Sequence, residues 1–272
     1  MIDTVPAIRF RFGLTPLDQV EPWGREQRSL HWFGLTDGWY CVDLGGHEVL
    51  RYSERTVREL GSDRDGGRPH PYVAYYVARL WEDVVALTSE ALEPVPQDLV
   101  DIAAETSPDW TWLEVPEAEP ALSWHSAGFL YTDYLRVAPH IRCWRTVAGG
   151  DDTVTLSWQH QPDPEGVISF AGPQAGRVAM PTGEFVAAVT ELDRALLAAM
   201  DRRIGELEAA GPMPGVEVDM ERLRREHRDR ATWLQRARDH ERNTDWGVVR
   251  AGARMMLAPA QDAAADGGPT PG

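Results

Sequence analysis

The sequence predicts an α+β fold, with an antiparallel sheet packed by long helices. Three observations carry that expectation. Ile8-Arg9-Phe10-Arg11-Phe12 alternates apolar and charged residues at the period of a strand. Thr36-Asp37-Gly38 and Gly149-Gly150-Asp151-Asp152 each lie between apolar, aromatic-rich runs, where hairpin turns belong. Residues 72–92 and 183–209 repeat apolar side chains at helical spacing.

In chain order, 8–12 is a half-buried strand with its arginines outward, and a loop with Pro16, Pro22 and Gly24 follows. Residues 30–35 and 39–44 are expected to pair across Asp37-Gly38, and Gly45-Gly46 to turn the chain into 48–52. Residues 8–52 thus form a meander of four strands, with Trp39 in the core. A polar, glycine-rich loop at 61–67 precedes the first long helix. There Val73, Tyr76, Leu80, Val84, Leu87 and Ala91 make one stripe, and Trp81 and Val85 a second. A helix apolar on more than one face belongs in the middle of a fold. A short amphipathic helix at 98–105 leads to an irregular loop at 106–120 with Trp110 and Trp112, and 121–137 fits helix or strand equally.

Residues 141–147 and 153–160 form the second hairpin, with Val154, Leu156 and Trp158 on one face. Residues 167–170 and 177–180 read as two more short strands. Thr182 is placed as N-cap of a helix to 209, with Phe185, Val189, Leu192, Leu196, Met200, Ile204 and Leu207 inward. Residues 219–242 form a charged helix with a thin stripe of Met220, Leu223, Ala231 and Leu234, lying on the core or projecting from it; 244–257 adds a short helix. The expected organisation is one α+β core over 1–210, a charged helical segment over 211–257 packing on it, and a disordered Ala/Asp/Gly/Pro-rich tail over 258–272.

Charge narrows the function classes. The net charge is −16, and all 27 basic residues are arginine. Eight of these fall in 219–242 against six acids, so that segment is locally +2 and the remainder −18. An acidic protein of this kind makes nucleic acid an unlikely partner and is repelled by anionic membrane surfaces, while it suits a cationic protein. The first residues show no basic-then-apolar leader and no run of about 18 apolar residues occurs, so a cytoplasmic protein without a membrane partner is expected. Cys41 and Cys143 sit in strand-like segments beside aromatic residues and read as small buried hydrophobes.

No phosphate-cradling glycine motif and no nucleophile elbow occurs. His47-Glu48 and His240-Glu241 lack the second histidine of a zinc helix, and Asp63 and Asp65 sit among turn formers, so neither a cofactor nor a metal is expected. The densest polar–aromatic group is Trp124, His125, Tyr131, Asp133, Tyr134, His140, Arg142 and Trp144. It holds a possible base, a carboxylate to orient it, and a cation with stacking surfaces. Eleven tryptophans against six phenylalanines add candidate anchors for a groove or an interface.

Several segments carry a resemblance: 8–14 (IRFRFGL), 22–24 (PWG), 30–40 (LHWFGLTDGWY), 50–52 (LRY), 134–145 and 244–253 (TDWGVVRAGA). Together they resemble an uncharacterised bacterial family classed as a domain of unknown function, over most of 8–257. The resemblance implies a cytoplasmic bacterial protein and no particular activity. Two uses remain in view, an immunity-like or regulatory interaction protein with an acidic surface, and a small-molecule-binding protein or enzyme built on the Trp124–Trp144 group. A third is nucleic-acid contact through the arginine-rich helix.

Overall fold

The computed structural model of the chain describes residues 6–61, 70–105, 116–211 and 214–257. Asp63, Asp65, Trp110, Trp112 and the tail at 258–272 lie outside the described residues. The architecture is α+β.

The chain begins with β1 (Ile8–Leu14), β2 (Arg28–Leu30), β3 (Gly38–Leu44) and β4 (His47–Glu48). The expected meander is corrected here. β3 pairs antiparallel with β1, from Ile8↔Leu44 to Leu14↔Gly38, and with β4. The run at 30–35 is not its hairpin partner. Gly34–Thr36 is a 3-10 turn, and Asp37 has φ −50 and ψ 135, so Asp37-Gly38 makes no tight turn. Gly38 is needed for a different reason: a Cβ there would stand 2.2 Å from Gly13 O of the neighbouring strand. Alternation along β3 puts Tyr40, Val42 and Leu44 into the core, while Trp39 is only half-buried, stacked on His70 and Tyr72. Trp39 is therefore not a core residue.

After α1 (Glu54–Gly61), which hydrophobic spacing did not reveal, β5 (Val73–Ala74) pairs with β3. That pairing takes the backbone of 73–74, so the first long helix, α2 (Val77–Leu92), starts later than expected. Its N-terminus is capped from a distance: Thr36 Oγ1 accepts from the Ala78 N–H at 3.1 Å and donates to Phe33 O. Leu80, Trp81, Val84, Val85 and Leu87 are buried, as two apolar stripes require.

The second sheet has the order β6 (Phe129–Leu130), β7 (His140–Ala148), β8 (Asp151–Gln159), β9 (Ala175–Pro181), all antiparallel. Gly149 and Gly150 both have positive φ (63° and 94°), the shape that a two-residue hairpin demands. One face of this sheet sends Ile141, Cys143, Val154, Leu156, Trp158 and Met180 into the same cluster as α2. The other carries His140, Arg142 and Trp144, covered by α3 (Val100–Ala103) and α4 (Glu119–Ala127). Residues 167–170 are no strand; Phe170 makes a single bridge to Tyr52.

The helix α5 (Thr182–Ala210) buries all seven residues expected to face inward. Its N-cap is Pro181; Thr182 is its first residue and bonds Asp152 at 2.5 Å instead of capping. Then β10 (Val216–Val218) pairs in parallel with β2. The expected helix over 219–242 is two helices, α6 (Met220–Arg230) and α7 (Trp233–Asp239), parted at the exposed Ala231. Leu223 and Leu234 join the main cluster. Arg230 is buried between three tryptophans, 4.2 Å from the Trp32 ring, 4.6 Å from Trp233 and 5.8 Å from Trp81, and pairs with Glu82 and Glu226. Cation–π contact and charge pairing together fasten α6 to α2. The last helix, α8 (Trp246–Leu257), packs on α4 in a small second cluster with Val249, Ala253 and Met256. Among the described residues, no helix is long and apolar enough to cross a membrane.

Candidate ligand site

The polar–aromatic residues singled out between Trp124 and Trp144 do not converge on one point. Three of them, Trp124, His125 and Arg142, form a closed group on the outer face of β7. Arg142 is 1% exposed; its Nε donates to Ala103 O and its Nη1 to His125 O at 2.5 Å, with its guanidinium 4.8 Å from the Phe129 ring. Burial holds its pKa down at about 9. His125 is buried too, with Nε2 3.1 Å from Glu105 O. Burial, aided by the Arg142 charge, drives its pKa to about 3, so the ring is neutral at ordinary pH. Trp144, on the same face of β7, lines a cavity of about 20 Å³ with Trp124 and Arg142. That is room for one water molecule, and the group cannot admit a ligand. His140 packs edge-on against Phe129 with Nδ1 3.3 Å from Gln161 Nε2, and Asp133 is exposed.

The other two residues, Tyr131 and Tyr134, belong to a different place. They follow β6 and meet the side of α2 that carries Arg79, Asp83, Ala86 and Glu90. These positions recur at three- and four-residue spacing, one polar stripe on an otherwise apolar helix. That stripe was the available signal for the site, and the apolar periodicity of α2 hides it. Asp83, Glu90, Ala86, Leu87, Phe129 and Tyr131 line an open hollow of about 210 Å³. Tyr131, 49% exposed, forms its rim.

Asp83 is the unusual group. Its side chain is 10% exposed, and its Oδ2 is buried without a hydrogen bond. Arg79 Nε stands 3.1 Å away, but the two are not aligned to share a proton. Arg79 instead lays its guanidinium over the rings of Tyr131 (5.0 Å) and Tyr134 (5.5 Å). Burial raises the Asp83 pKa to about 7; Arg79 offsets this only in part, and Glu82 adds to it. Behind it, Tyr134 stacks on Tyr75 at 4.7 Å and shares a 2.8 Å hydrogen bond with buried Tyr40. Burial pushes both phenols up, so they stay neutral.

Two further surface hollows hold polar groups that are already engaged. In the one beside α1, of about 390 Å³, Asp163 accepts the N–H groups of Glu165, Val167 and Ile168, and His160 Nε2 lies 2.8 Å from Val49 O. In the one beside α6, of about 220 Å³, Asp219 caps the helix at Arg222 N and Glu226 pairs with Arg230.

A family model described as a family of unknown function, DUF5984, matches residues 9–252. The chain belongs to DUF5984. Neither a curated protein nor a solved structure matches it. The match spans every element from β1 into α8, so the hollow between α2 and β6 lies wholly within the family region of this DUF5984 chain.

Proposed function

We propose that this protein binds a small molecule in the hollow between α2 and β6. The observation that carries the reading is Asp83, a nearly buried carboxyl that lines an open, mostly apolar hollow and whose Oδ2 has no aligned hydrogen bond. Burying a polar oxygen without a partner is costly, and a ligand donor would relieve that cost. The aromatic wall and one or two convergent polar groups are the usual make-up of a small ligand site. The setting we infer is bacterial cytoplasm, supported by two buried free cysteines.

A second reading, an interaction protein that masks a cationic partner, is supported by the net charge of −16. It is the weaker of the two because Trp32, Trp81, Trp144 and Trp158 are core residues and offer no anchors. Nucleic-acid contact is weaker still: Arg224, Arg230, Arg236 and Arg242 pair with acids of the same chain.

A fragment screen by NMR, read on the Tyr131 and Phe129 ring resonances, tests the proposal. Fragments should shift both rings saturably in the parent, and should shift the Phe129 ring far less in Tyr131→Ala. Hits that leave both rings unmoved would contradict it.

A further inference from the structure

We infer that the hollow takes a small organic cation, an amine or guanidinium on a short apolar or aromatic body. This inference rests on the small-molecule reading and narrows its chemistry. Among the described residues, the only charged side chains lining the hollow are the carboxylates Asp83 and Glu90; the rest of that lining is aliphatic or aromatic. The two carboxylates lie seven residues apart on α2, two turns and about 10 Å along its axis, so an ammonium at Asp83 leaves the apolar body to lie along Leu87 and Phe129.

The charges around Asp83 favour a cation in the hollow. On its own helix stand Arg79, Glu82 and Glu90. From α6, Arg230 pairs with Glu82, and from the segment before α8, Arg242 pairs with Glu90 and Glu93. Tyr131 and Tyr134 face it from the segment after β6, and Tyr40 stands behind them from β3. Glu82 thus has a hydrogen-bonded arginine partner and Glu90 an ion-paired one. Asp83 has Arg79 close by but misaligned, with its guanidinium committed to the tyrosine rings. A ligand ammonium in the hollow would pair with the Asp83 carboxylate, which lines it, and Tyr131 would offer its exposed ring surface to the same cation. An anionic ligand would meet two carboxylates.

The inference couples binding to protonation, because a cation favours the ionised carboxyl. With a carboxyl pKa of about 7, the ionised share rises from about a tenth at pH 6 to about nine-tenths at pH 8, so affinity for the cation should rise about tenfold over that interval. Three probes share one body: phenethylamine, 2-phenylethanol and 3-phenylpropionate. Each is titrated into the full-length protein at pH 6 and pH 8, with the Tyr131 and Phe129 rings as reporters. Only phenethylamine should show this rise with pH, and its affinity at pH 8 should fall at least about tenfold in Asp83→Asn, an isostere of the protonated carboxyl that leaves the fold intact. Glu90→Gln, the second variant, should weaken it less. If the alcohol or the propionate binds as tightly as the amine, or the amine is indifferent to Asp83→Asn, the cation inference is overturned while the ligand site stands. If none of the three moves either ring, both readings fall.

Discussion

The two halves of one polar–aromatic stretch come to opposite ends. Arg142 and His125 are buried on the outer face of β7, and their donors are spent on backbone carbonyls in a space that admits one water. Asp83, with Tyr131 and Tyr134 around it, is buried almost as deeply, yet it faces an open hollow and its Oδ2 has no hydrogen bond. Burial perturbs all three groups, so perturbation alone does not single out a working site. What separates the two places is whether the perturbed group has already been satisfied by its own chain. Arg142 ties the end of α3 at Ala103 to α4, which is a structural task; Asp83 has hydrogen-bonding capacity left for something else.

The sharpest way to break that contrast is Arg142→Ala. Two charge-assisted bonds are lost and two carbonyls are left buried, so denaturant unfolding should show a loss of about 3–5 kcal/mol. A loss under about 1 kcal/mol would mean that the closed group is not structural.

The next test uses pH. The Asp83 pKa is higher in the folded protein than in the unfolded chain, so between about pH 4 and pH 7 the native state binds more protons and loses stability as pH rises. Asp83→Asn removes that loss, and the variant should gain about 1–3 kcal/mol on the parent across the window. His125 works in the opposite sense. Its pKa is depressed to about 3, so it costs stability as pH falls from about 6.5 toward 3. A stability difference between parent and Asp83→Asn that is flat with pH would contradict the assignment.

The smallest effect concerns arginines that touch neither place. Arg222, Arg225 and Arg228 are exposed on α6, and their joint replacement by serine should change stability by less than about 1 kcal/mol. A larger loss would show that α6 is held by more than Arg230 and Leu223.

Legibility in the sequence follows the same divide. The helix α5 was readable because its seven inward residues keep one period from Phe185 to Leu207, and the β7–β8 hairpin because Gly149-Gly150 accepts the positive φ that a two-residue turn requires. The first sheet was misread because Asp37-Gly38 has the composition of a turn, while Gly38 serves the close approach of β1. Trp39 was misplaced by its hydrophobicity; the alternation of β3 gives the inside to Tyr40. For the site, local density found Tyr131 and Tyr134 but could not separate them from Arg142, since that depends on which face of β7 and which end of β6 each residue reaches. Arg79 and Asp83 are some fifty residues away in sequence, and only the packing of α2 against β6 brings them to the tyrosines.

The most direct measurement of the central claim is the titration of the Asp83 carboxyl itself, followed by carbon-13 NMR in the unliganded protein. A midpoint near 7 is expected, moving downward on addition of phenethylamine as the ionised form is captured. A midpoint near 4 that ignores the amine would mean that Arg79 already satisfies Asp83, and the hollow would then be no more a site than the closed group around Arg142.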